Sequence, residues 1–402
     1  MIETMATRAE PTAADYERWR AADRAARPLR LAAFRTKLAQ EGVDAYFGLR
    51  RENSRYLTGL ELGEGEEKVA GYSGHFLVSP SDVVVMADSR YTVQVRDQCP
   101  DARLERVYND LFSRWSELLA SIGSPKRLAV EAGFVSHSMW QKLVAASPDV
   151  ELVPAEGWIE GLRQVKEKSE LERVAASCAV ADQALERLLP SIRPGVTEHE
   201  LALQLEWEMR THGAEALAFD VAVLSGPNAA LPHGSPGPRQ VRAGEVLLFD
   251  FGAQVCGYRS DMTRTLFVGA PGKRDLEIYE IVARAQQEAI DALAHAIAEG
   301  TRPNGKQIHI VARDVIDAAG YGDNFGHGLG HGIGLATHEL PSLGMSAADT
   351  QLPSPTVFSV EPGIYLDDVT GVRIEDLVIF DAEARRLDRI TLFPREVTVV
   401  GE

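Results

Sequence analysis

The segment FGHGLGHGIG at residues 325–334 places glycine at every second position. Five glycines in ten residues disfavour a helix, because each costs about 1 kcal/mol relative to alanine in a helix interior. A period of two is instead typical of an extended strand, with His327 and His331 on one face and the glycines on the other. Residues four apart in a strand are separated by about 13 Å, so at most one of these histidines binds a given metal ion unless the chain bends sharply. Glycine also lets another backbone or a ligand approach closely.

A first acidic pair is predicted in a hairpin at residues 245–269, EVLLFDFGAQVCGYRSDMTRTLFVG. Its turn is centred between Val255 and Cys256. Pairing of the strands about that centre places Asp250 directly opposite Asp261. Opposed side chains on one face of a ribbon lie about 4.5–5.5 Å apart, where two like charges are destabilising. A cation between the two aspartates would remove that repulsion.

A second acidic pair follows from the same arithmetic in residues 357–380, VFSVEPGIYLDDVTGVRIEDLVIF. The loop is centred near Asp368, which places Glu361 opposite Glu375. Four carboxylates would neutralise two divalent ions, and carboxylate oxygens with one imidazole suit manganese, cobalt, iron or zinc. Two such ions about 3.5–4 Å apart form a clamp that activates water. The alternative is that some of these acids point to solvent or pair with neighbouring arginines.

The composition restricts the class of protein. The 402 residues carry a net charge of −17, with a pI of about 5.1. This balance argues against nucleic acid and anionic membranes as partners, because both bind basic surfaces. No run reaches the roughly 18–20 apolar residues of a membrane span, and the polar N-terminus lacks the apolar core of a signal peptide. The three cysteines do not form a disulfide framework, so we expect a cytoplasmic protein in a reducing compartment.

Hydrophobic periodicity predicts an α/β domain followed by an α+β domain. We expect a partly disordered lead-in at residues 1–25, an N-terminal domain at 26–158 and a C-terminal domain at 159–402. A Pro-, Gly- and charge-rich segment marks the junction. Thr197 and Glu200 are predicted to form a capping box at the start of a helix. The helices predicted in the second domain are residues 169–192, 197–213, 275–300 and 304–320.

Taken together, these motifs resemble the creatinase/methionine-aminopeptidase superfamily of family M24 metallopeptidases, and most closely its Xaa-Pro peptidases. The motifs FDFGAQVCGYRSDMTRT, HGLGHGIGLATHELP, SVEPGIY and GVRIED follow in the family's order. LPHG at 231–234 matches the family's substrate-binding histidine, while NSRYLTGL and ADSRYTVQ resemble its non-catalytic domain. The resemblance covers most of the chain. It implies an α/β N-terminal creatinase-like domain and an α+β C-terminal catalytic domain of the "pita-bread" fold.

The resemblance also implies roles for individual residues. The implied metal ligands are Asp250, Asp261, His331, Glu361 and Glu375. The resemblance thus selects His331 over His327 as the ligand. In catalysis, Glu361 would shuttle a proton, and His233 or His338 would stabilise the developing oxyanion. The implied substrate-binding residues are His233, His327, His338 and Arg373. Arg373 would also orient the Glu375 carboxylate, because the two share a strand face.

The activity implied by the resemblance is hydrolysis of the peptide bond between an N-terminal residue and proline. It would use two divalent metal ions per chain, manganese first, with cobalt, zinc or iron as alternatives. Substrates would be Xaa-Pro dipeptides or longer peptides with proline second. The dipeptidases usually carry an arginine that holds the substrate carboxylate, but no Lys or Arg occurs from 332 to 372 here. This departure favours an aminopeptidase, unless Tyr365, Tyr258 or an arginine of a partner chain replaces the missing group.

Two other functions remain open at this stage. One is a hydrolase or lyase of a small amide-like metabolite on the same fold. The other is a metal-free binding protein that has lost catalysis. Members of the fold with either of these functions usually have an altered set of metal ligands, whereas the five expected ligands are all present in this sequence. The resemblance further implies a homodimer.

Overall fold

The chain divides into two units, which are described separately. The computed structural model describes residue 7, residues 9–63 and residues 71–401. The N-terminal unit is Arg20–Arg163. The C-terminal unit is Gln164–Glu402 together with the segment that ends at Trp19. The corresponding boundary predicted from the sequence follows residue 158.

The N-terminal unit is built on one six-stranded mixed sheet. Its strands are β1 (Ala45–Gly48), β2 (Phe76–Val78), β3 (Val83–Ala87), β4 (Arg103–Arg106), β5 (Arg127–Glu131) and β6 (Glu151–Ala155). They are ordered β4-β3-β2-β1-β5-β6, with β2 antiparallel to both neighbours and the other pairs parallel. The helices of this part of the chain are α1 (Ala13–Gln40), α2 (Arg51–Thr58), α3 (Thr92–Gln98), α4 (Trp115–Ser121), α5 (His137–Ala146) and α6 (Trp158–Arg163).

Helix α1 differs from the sequence prediction. The sequence predicts a partly disordered lead-in at residues 1–25, but from Ala13 onward the structure has one continuous helix that includes Pro28. The residues before Pro28 are mostly Ala, Arg and other good helix formers, which explains the longer helix. Gly42 has a φ of 64° just beyond its end, a conformation that glycine adopts without strain. Residues 13–25 of the predicted lead-in are therefore helical, and residues 1–6 and 8 of it lie outside the described residues.

The C-terminal unit contains four long helices and four small sheets. Its helices are α7 (Lys168–Leu188), α8 (Glu198–Thr211), α9 (Lys273–Glu299) and α10 (Gly305–Ala318). Its strands are β7 (Ala216–Leu217), β8 (Ala222–Ser225), β9 (Val246–Phe251), β10 (Ala253–Val255), β11 (Tyr258–Arg259), β12 (Met262–Val268), β13 (Gly330–Gly332), β14 (Glu339–Leu343), β15 (Thr356–Val360), β16 (Gly363–Leu366), β17 (Thr370–Arg373), β18 (Asp376–Asp381), β19 (Arg386–Arg389) and β20 (Val399–Val400). The sheets are ordered β11-β10-β7, β20-β12-β9-β8, β14-β13-β15-β18-β19 and β16-β17.

The sheet that contains β9 is covered by helices on both faces. Leu247 and Phe249 of β9 belong to a hydrophobic cluster with α7 and α8, whereas Val246 and Leu248 belong to a second cluster with α9 and α10. Alternate residues of a strand point to opposite faces, so the strand is apolar throughout. The four predicted helices are confirmed, including the capping box at the start of α8. No helix in the described part of the chain is both long and apolar enough to cross a membrane.

The register of the first hairpin differs from the prediction. Asp250 pairs with Thr263 rather than with Asp261. The turn consists of Cys256 and Gly257, whose φ values of 46° and 80° suit a two-residue hairpin turn, and its centre lies one residue later than predicted. A turn centre displaced by one residue shifts the strand pairing by two residues. Because side chains alternate between the two faces, a shift of two leaves each side chain on its predicted face. Asp261 is therefore a diagonal neighbour of Asp250 on the same face.

The register of the second hairpin is confirmed. Val360 pairs with Asp376 in the ladder of β15 and β18, and Gly363 pairs with Arg373 in the ladder of β16 and β17. Both ladders follow the predicted register, which places Glu361 opposite the residue between β17 and β18, Glu375. The two ladders are separated by a short break, and both acids lie in it rather than in a β-ladder. Asp368 has a φ of 59° in the connecting turn.

The alternating glycines allow close packing of three strands. Strand β13 lies between β14 and β15. A Cβ atom at Gly330 would lie 1.9 Å from the carbonyl oxygen of Ser359, and one at Gly332 would lie 2.1 Å from the carbonyl oxygen of Leu340. Only glycine fits at such distances from a neighbouring backbone. His331, between the two glycines, is thereby held in the middle of this sheet.

Replacement of Gly330 with alanine should destabilise the protein. The added methyl group would collide with the backbone of β15, and relief of such a collision typically costs about 1–3 kcal/mol. Gly326→Ala is the matched control in the same glycine-rich segment, because a Cβ there meets no other atom within 4 Å. Urea unfolding should show a lower free energy of unfolding for Gly330→Ala only. Equal values for the two variants would contradict the packing argument.

Candidate active site

The predicted site residues meet in one cavity of the C-terminal unit, with a volume of about 570 Å³. The predicted residues that line it are His233, Asp250, Asp261, His327, His331, His338, Glu361, Arg373 and Glu375. They come from both hairpins, from the glycine-rich segment and from two loops. Phe219 lines the cavity too, together with the exposed carboxylate of Asp220. The fold therefore brings together side chains that are as much as 142 residues apart in sequence, from His233 to Glu375.

Three of the five predicted metal ligands lie within reach of a single ion. Ligand atoms of Asp261, His331 and Glu375 all lie within 4.8 Å of one another. Asp261 precedes β12, His331 is the central residue of β13, and Glu375 precedes β18. Each side chain is thus fixed next to a strand rather than on a long loop. Two carboxylates and one imidazole form a donor set that suits a divalent transition metal.

The imidazole of His331 is oriented toward the acids. Its Nδ1 lies 3.1 Å from the carbonyl oxygen of Gly332, so Nδ1 carries the proton and donates to that carbonyl. Nε2 is then free of a proton and faces Glu361 Oε1 at 3.3 Å and Asp261 Oδ2 at 3.7 Å. A carbonyl behind one ring nitrogen is the usual arrangement of a metal-binding histidine.

The acids are too close together and too buried to be stable as free carboxylates. Burial, and then the negative charges of Glu375, Asp250 and Glu361, raises the pKa of Asp261 well above its ordinary range. Burial also raises the pKa of Glu375 well above its ordinary range, with Glu361 and Asp250 adding to the effect. Glu375 Oε1 is buried and has no hydrogen-bond partner among the described residues. A bound cation would satisfy that oxygen and remove the repulsion, so these residues fit a metal ion.

Asp250 and Glu361 lie in the same cavity, but their oxygens are not part of the group of three. Asp250 Oδ2 accepts a hydrogen bond of 2.6 Å from Arg373 Nη2. Glu361 Oε1 accepts a bond of 2.9 Å from the Ser359 hydroxyl. Their roles as ligands stay predictions that the resemblance supports.

Arg373, which is predicted to orient the Glu375 carboxylate, makes no direct hydrogen bond to it and reaches it through Thr263. Its Nε donates to Thr263 Oγ1 at 2.8 Å, and the Thr263 hydroxyl donates to Glu375 Oε2 at 2.7 Å. Its Nη1 donates to the Tyr365 hydroxyl at 2.9 Å. Arg373 therefore orients Glu375 through Thr263, while its direct ion pair is with Asp250. Thr263 precedes Arg264 in the hairpin and was not singled out in the sequence, because threonine is common in strands.

His327 lines the cavity with both ring nitrogens engaged. Nδ1 lies 2.7 Å from the Gly328 carbonyl oxygen, and Nε2 lies 3.0 Å from the Tyr365 hydroxyl. With the proton on Nδ1, the Tyr365 hydroxyl donates to Nε2 and accepts from Arg373. A substrate contact of His327 would therefore involve its ring face or exchange one of these bonds. Tyr258, the other tyrosine considered, donates instead to Glu170 at 2.7 Å and does not line the cavity.

The loop that carries His338 is held by a buried ion pair. Glu339 accepts from the backbone N–H of Ala336 at 2.7 Å and from Lys166 Nζ at 3.1 Å. The side chains of Lys166 and Glu339 are only 1% and 3% exposed. His338 itself is exposed in the cavity, and its ring lies 4.1 Å from that of His331, centroid to centroid. Sequence reasoning missed this pair because its members are 173 residues apart.

Two family models match the sequence. Metallopeptidase family M24 matches residues 172–382, and the Creatinase/Prolidase N-terminal domain matches residues 30–165. The first match includes all nine cavity residues predicted from the sequence, and the second lies largely within the N-terminal unit.

Similar proteins include a curated relative and two solved structures. The Xaa-Pro dipeptidase of Pyrococcus furiosus is 36% identical over 286 residues, which is 71% of this chain and 79% of the relative. The Xaa-Pro dipeptidase from Bacillus anthracis is 32% identical, with a TM-score of 0.83 over 92% of this chain and 99% of that chain. The X-Pro aminopeptidase from Thermotoga maritima is also 32% identical, with a TM-score of 0.79 over the same shares.

Metal content should depend on Asp261. We expect about two divalent ions per purified wild-type chain, the number that a two-metal clamp requires, and at most one in Asp261→Asn. Manganese at about one hundred times its Kd should stabilise wild-type protein by roughly 2.7 kcal/mol. Asp220→Asn, which removes an exposed carboxylate of the same cavity, is the control. Elemental analysis and thermal unfolding measure both effects, and equal metal content in the two variants would refute the assignment.

Proposed function

We propose that this chain, which belongs to metallopeptidase family M24, hydrolyses the peptide bond between an N-terminal residue and a following proline. The fold is that of the family, a creatinase-like N-terminal domain followed by a pita-bread catalytic domain. The observation that carries the proposal is the group of Asp261, His331 and Glu375 in a cavity lined by three further histidines. The names of the similar proteins, which are Xaa-Pro dipeptidases and an X-Pro aminopeptidase, support proline specificity.

The mechanism assigns separate tasks to the residues of the cavity. Asp250, Asp261, His331, Glu361 and Glu375 would hold two divalent ions, which polarise a carbonyl and lower the pKa of water when bound. Glu361 takes a proton from the attacking water and passes it to the nitrogen of the leaving proline. Burial raises the pKa of Glu361.

His233 and His338 are proposed to stabilise the oxyanion that develops on the scissile carbonyl. Both are exposed in the cavity, so their ring nitrogens are accessible to a bound peptide. A bond that precedes proline is a tertiary amide without an N–H group. A site that recognises such a bond therefore relies on its carbonyl oxygen and on the proline ring. Histidine N–H groups supply hydrogen-bond donors for the carbonyl oxygen. Phe219, half-buried in the wall, provides apolar surface for the ring.

Among the described residues that line the cavity, no guanidinium is free to bind the carboxylate of a dipeptide. Of the described residues that line it, Arg373 is the single lysine or arginine. Each of its three nitrogens already donates to a protein group, namely Thr263, Tyr365 and Asp250. A bidentate clamp on a substrate carboxylate would require some of these bonds to break. We therefore favour an aminopeptidase that accepts peptides longer than a dipeptide, with a dipeptidase as the second candidate because several relatives carry that name.

Manganese is proposed as the native metal, with cobalt, zinc and iron as alternatives. The predicted ligand set contains four carboxylates and one imidazole, and hard oxygen donors favour manganese over softer metals. Activity restored to the metal-free protein by each ion separately would rank them.

Asp261→Asn should abolish peptide hydrolysis while leaving the fold intact. Loss of one ligand removes several kcal/mol of transition-state stabilisation, so kcat/KM for Ala-Pro-Ala should fall by at least about a hundredfold with manganese supplied. Ala-Ala-Ala, which lacks proline, should be a poor substrate for the wild type. Chromatographic detection of released alanine measures both. Wild-type rates in Asp261→Asn would sink the proposed mechanism.

Removal of the terminal carboxylate should not impair a dipeptide substrate. Ala-Pro amide differs from Ala-Pro only by that charge. We expect it to be hydrolysed at least as fast, because no lysine or arginine of the described lining is free to hold the carboxylate. Ala-Pro-Ala should be faster than either. A site built to bind the carboxylate would instead lose about 2–3 kcal/mol, or roughly 30- to 160-fold in rate, with the amide. That result would identify the enzyme as a dipeptidase.

A further inference from the structure

We propose that Glu198 is a positioning residue that fixes the loop carrying His233 against the cavity. The His233 loop is the segment Ser225–Gly237, which begins at the end of β8. Glu198 is the first residue of helix α8 and is 0% exposed, whereas His233 is exposed in the cavity. The inference rests on the proposed function, since it assigns His233 to substrate and transition state.

The carboxylate of Glu198 holds the His233 loop at both ends. Oε1 accepts from the backbone N–H of Ser225 at 2.7 Å and from its hydroxyl at 2.8 Å. The side-chain amide of Asn228 donates to both oxygens, at 3.0 and 3.1 Å. The backbone N–H of Gly237 donates to Oε2 at 3.2 Å. One buried side chain therefore gathers donors from the start and from the end of the loop.

The backbone around Glu198 continues the same attachment. Its own N–H donates to the carbonyl oxygen of Arg239 at 3.0 Å, and the N–H of His199 donates to that of Gly237 at 3.1 Å. The segment between the fixed points, residues 229–236, is only eight residues long and has His233 near its middle. A short segment fixed at both ends has few conformations, so the position of His233 depends on those ends.

The negative charge of Glu198 is the essential feature of this arrangement. All its partners are donors, and hydrogen bonds to a carboxylate are stronger than those between neutral groups. The N-terminus of α8 adds a favourable partial positive charge. Glutamine has the same shape but would turn an amide N–H₂ toward donors of Asn228 and Gly237, leaving partly buried N–H groups without an acceptor. Glu198→Gln should thus loosen the loop without emptying the site.

A double-mutant cycle tests whether Glu198 acts through His233. Activity on Ala-Pro-Ala is measured for wild type, Glu198→Gln, His233→Ala and the double variant, with manganese content determined for each. We expect Glu198→Gln to lower kcat/KM about tenfold or more in the wild-type background. In the His233→Ala background the same change should have less than a twofold effect, because the residue it positions is gone. Metal content should be unchanged by Glu198→Gln.

Two controls separate positioning from general loss of stability. Glu200→Gln makes the same chemical change two residues away on α8, where the carboxylate caps the helix through Thr197 and faces solvent. Leu205→Ala truncates a fully buried core residue of the same helix, which should lower the melting temperature measurably. Both variants should keep a kcat/KM near that of the wild type. Any change in activation free energy that they cause should add to the change caused by His233→Ala.

Hydrogen exchange measured by mass spectrometry gives a readout independent of activity. Amides of residues 226–237 should exchange faster in Glu198→Gln than in wild type, and at the wild-type rate in Glu200→Gln. Unchanged exchange, or kcat/KM effects that multiply in the double variant, would overturn the inference. If wild-type protein loaded with manganese cleaves neither Ala-Pro nor Ala-Pro-Ala, the proposed function fails instead, and the exchange data alone then decide whether Glu198 fixes the loop.

Discussion

The mutual repulsion of buried carboxylates is the constraint on which the C-terminal unit depends. Asp261 and Glu375 are 5% and 2% exposed and lie within 4.8 Å of each other, beside the imidazole of His331. No chain would gain stability from such an arrangement alone, because each ionised group is deprived of water and faces a like charge. The raised pKa values of both acids express the same conflict. A bound cation would neutralise the facing charges, so metal binding should relieve the repulsion between these carboxylates.

The scaffold that tolerates this repulsion lies directly behind the acids. The buried guanidinium of Arg264 donates to the backbone oxygens of Glu375, at 2.5 Å, and Thr263, at 2.9 Å, and to Asp376 Oδ1 at 2.7 Å. It also donates to the carbonyl oxygen of Phe393 at 2.8 Å. The hydrogen bonds of Arg264 thus connect the first hairpin, the second hairpin and the C-terminal segment. They hold the predicted metal ligands in place despite the repulsion between their charges.

The sequence predicted the cavity better than it predicted individual contacts. The alternation of residues along a strand predicts which face of the sheet each acid occupies. The predicted face is correct for Asp250 and Asp261 even though the turn centre is wrong by one residue, because that error shifts the strand pairing by two residues. Partners far apart in sequence, such as Thr263 with Glu375 or Glu198 with the His233 loop, follow only from packing. No periodicity marks them, and Glu198 looks like an ordinary residue of a helix start. The homodimer and the cytoplasmic location stay predictions.

The position of Arg373 links metal binding to substrate choice. Its ion pair with Asp250 neutralises one of the four carboxylates predicted to bind metal, which leaves about three negative charges for the metals to compensate. Two divalent ions would exceed that charge by about one, and the surplus favours the electron-rich oxygen of a peptide carbonyl. The same ion pair withholds the guanidinium from the far end of a substrate. Charge in this cavity is therefore directed at the scissile bond, and a guanidinium free to bind the peptide terminus would have to come from outside the described lining of this chain.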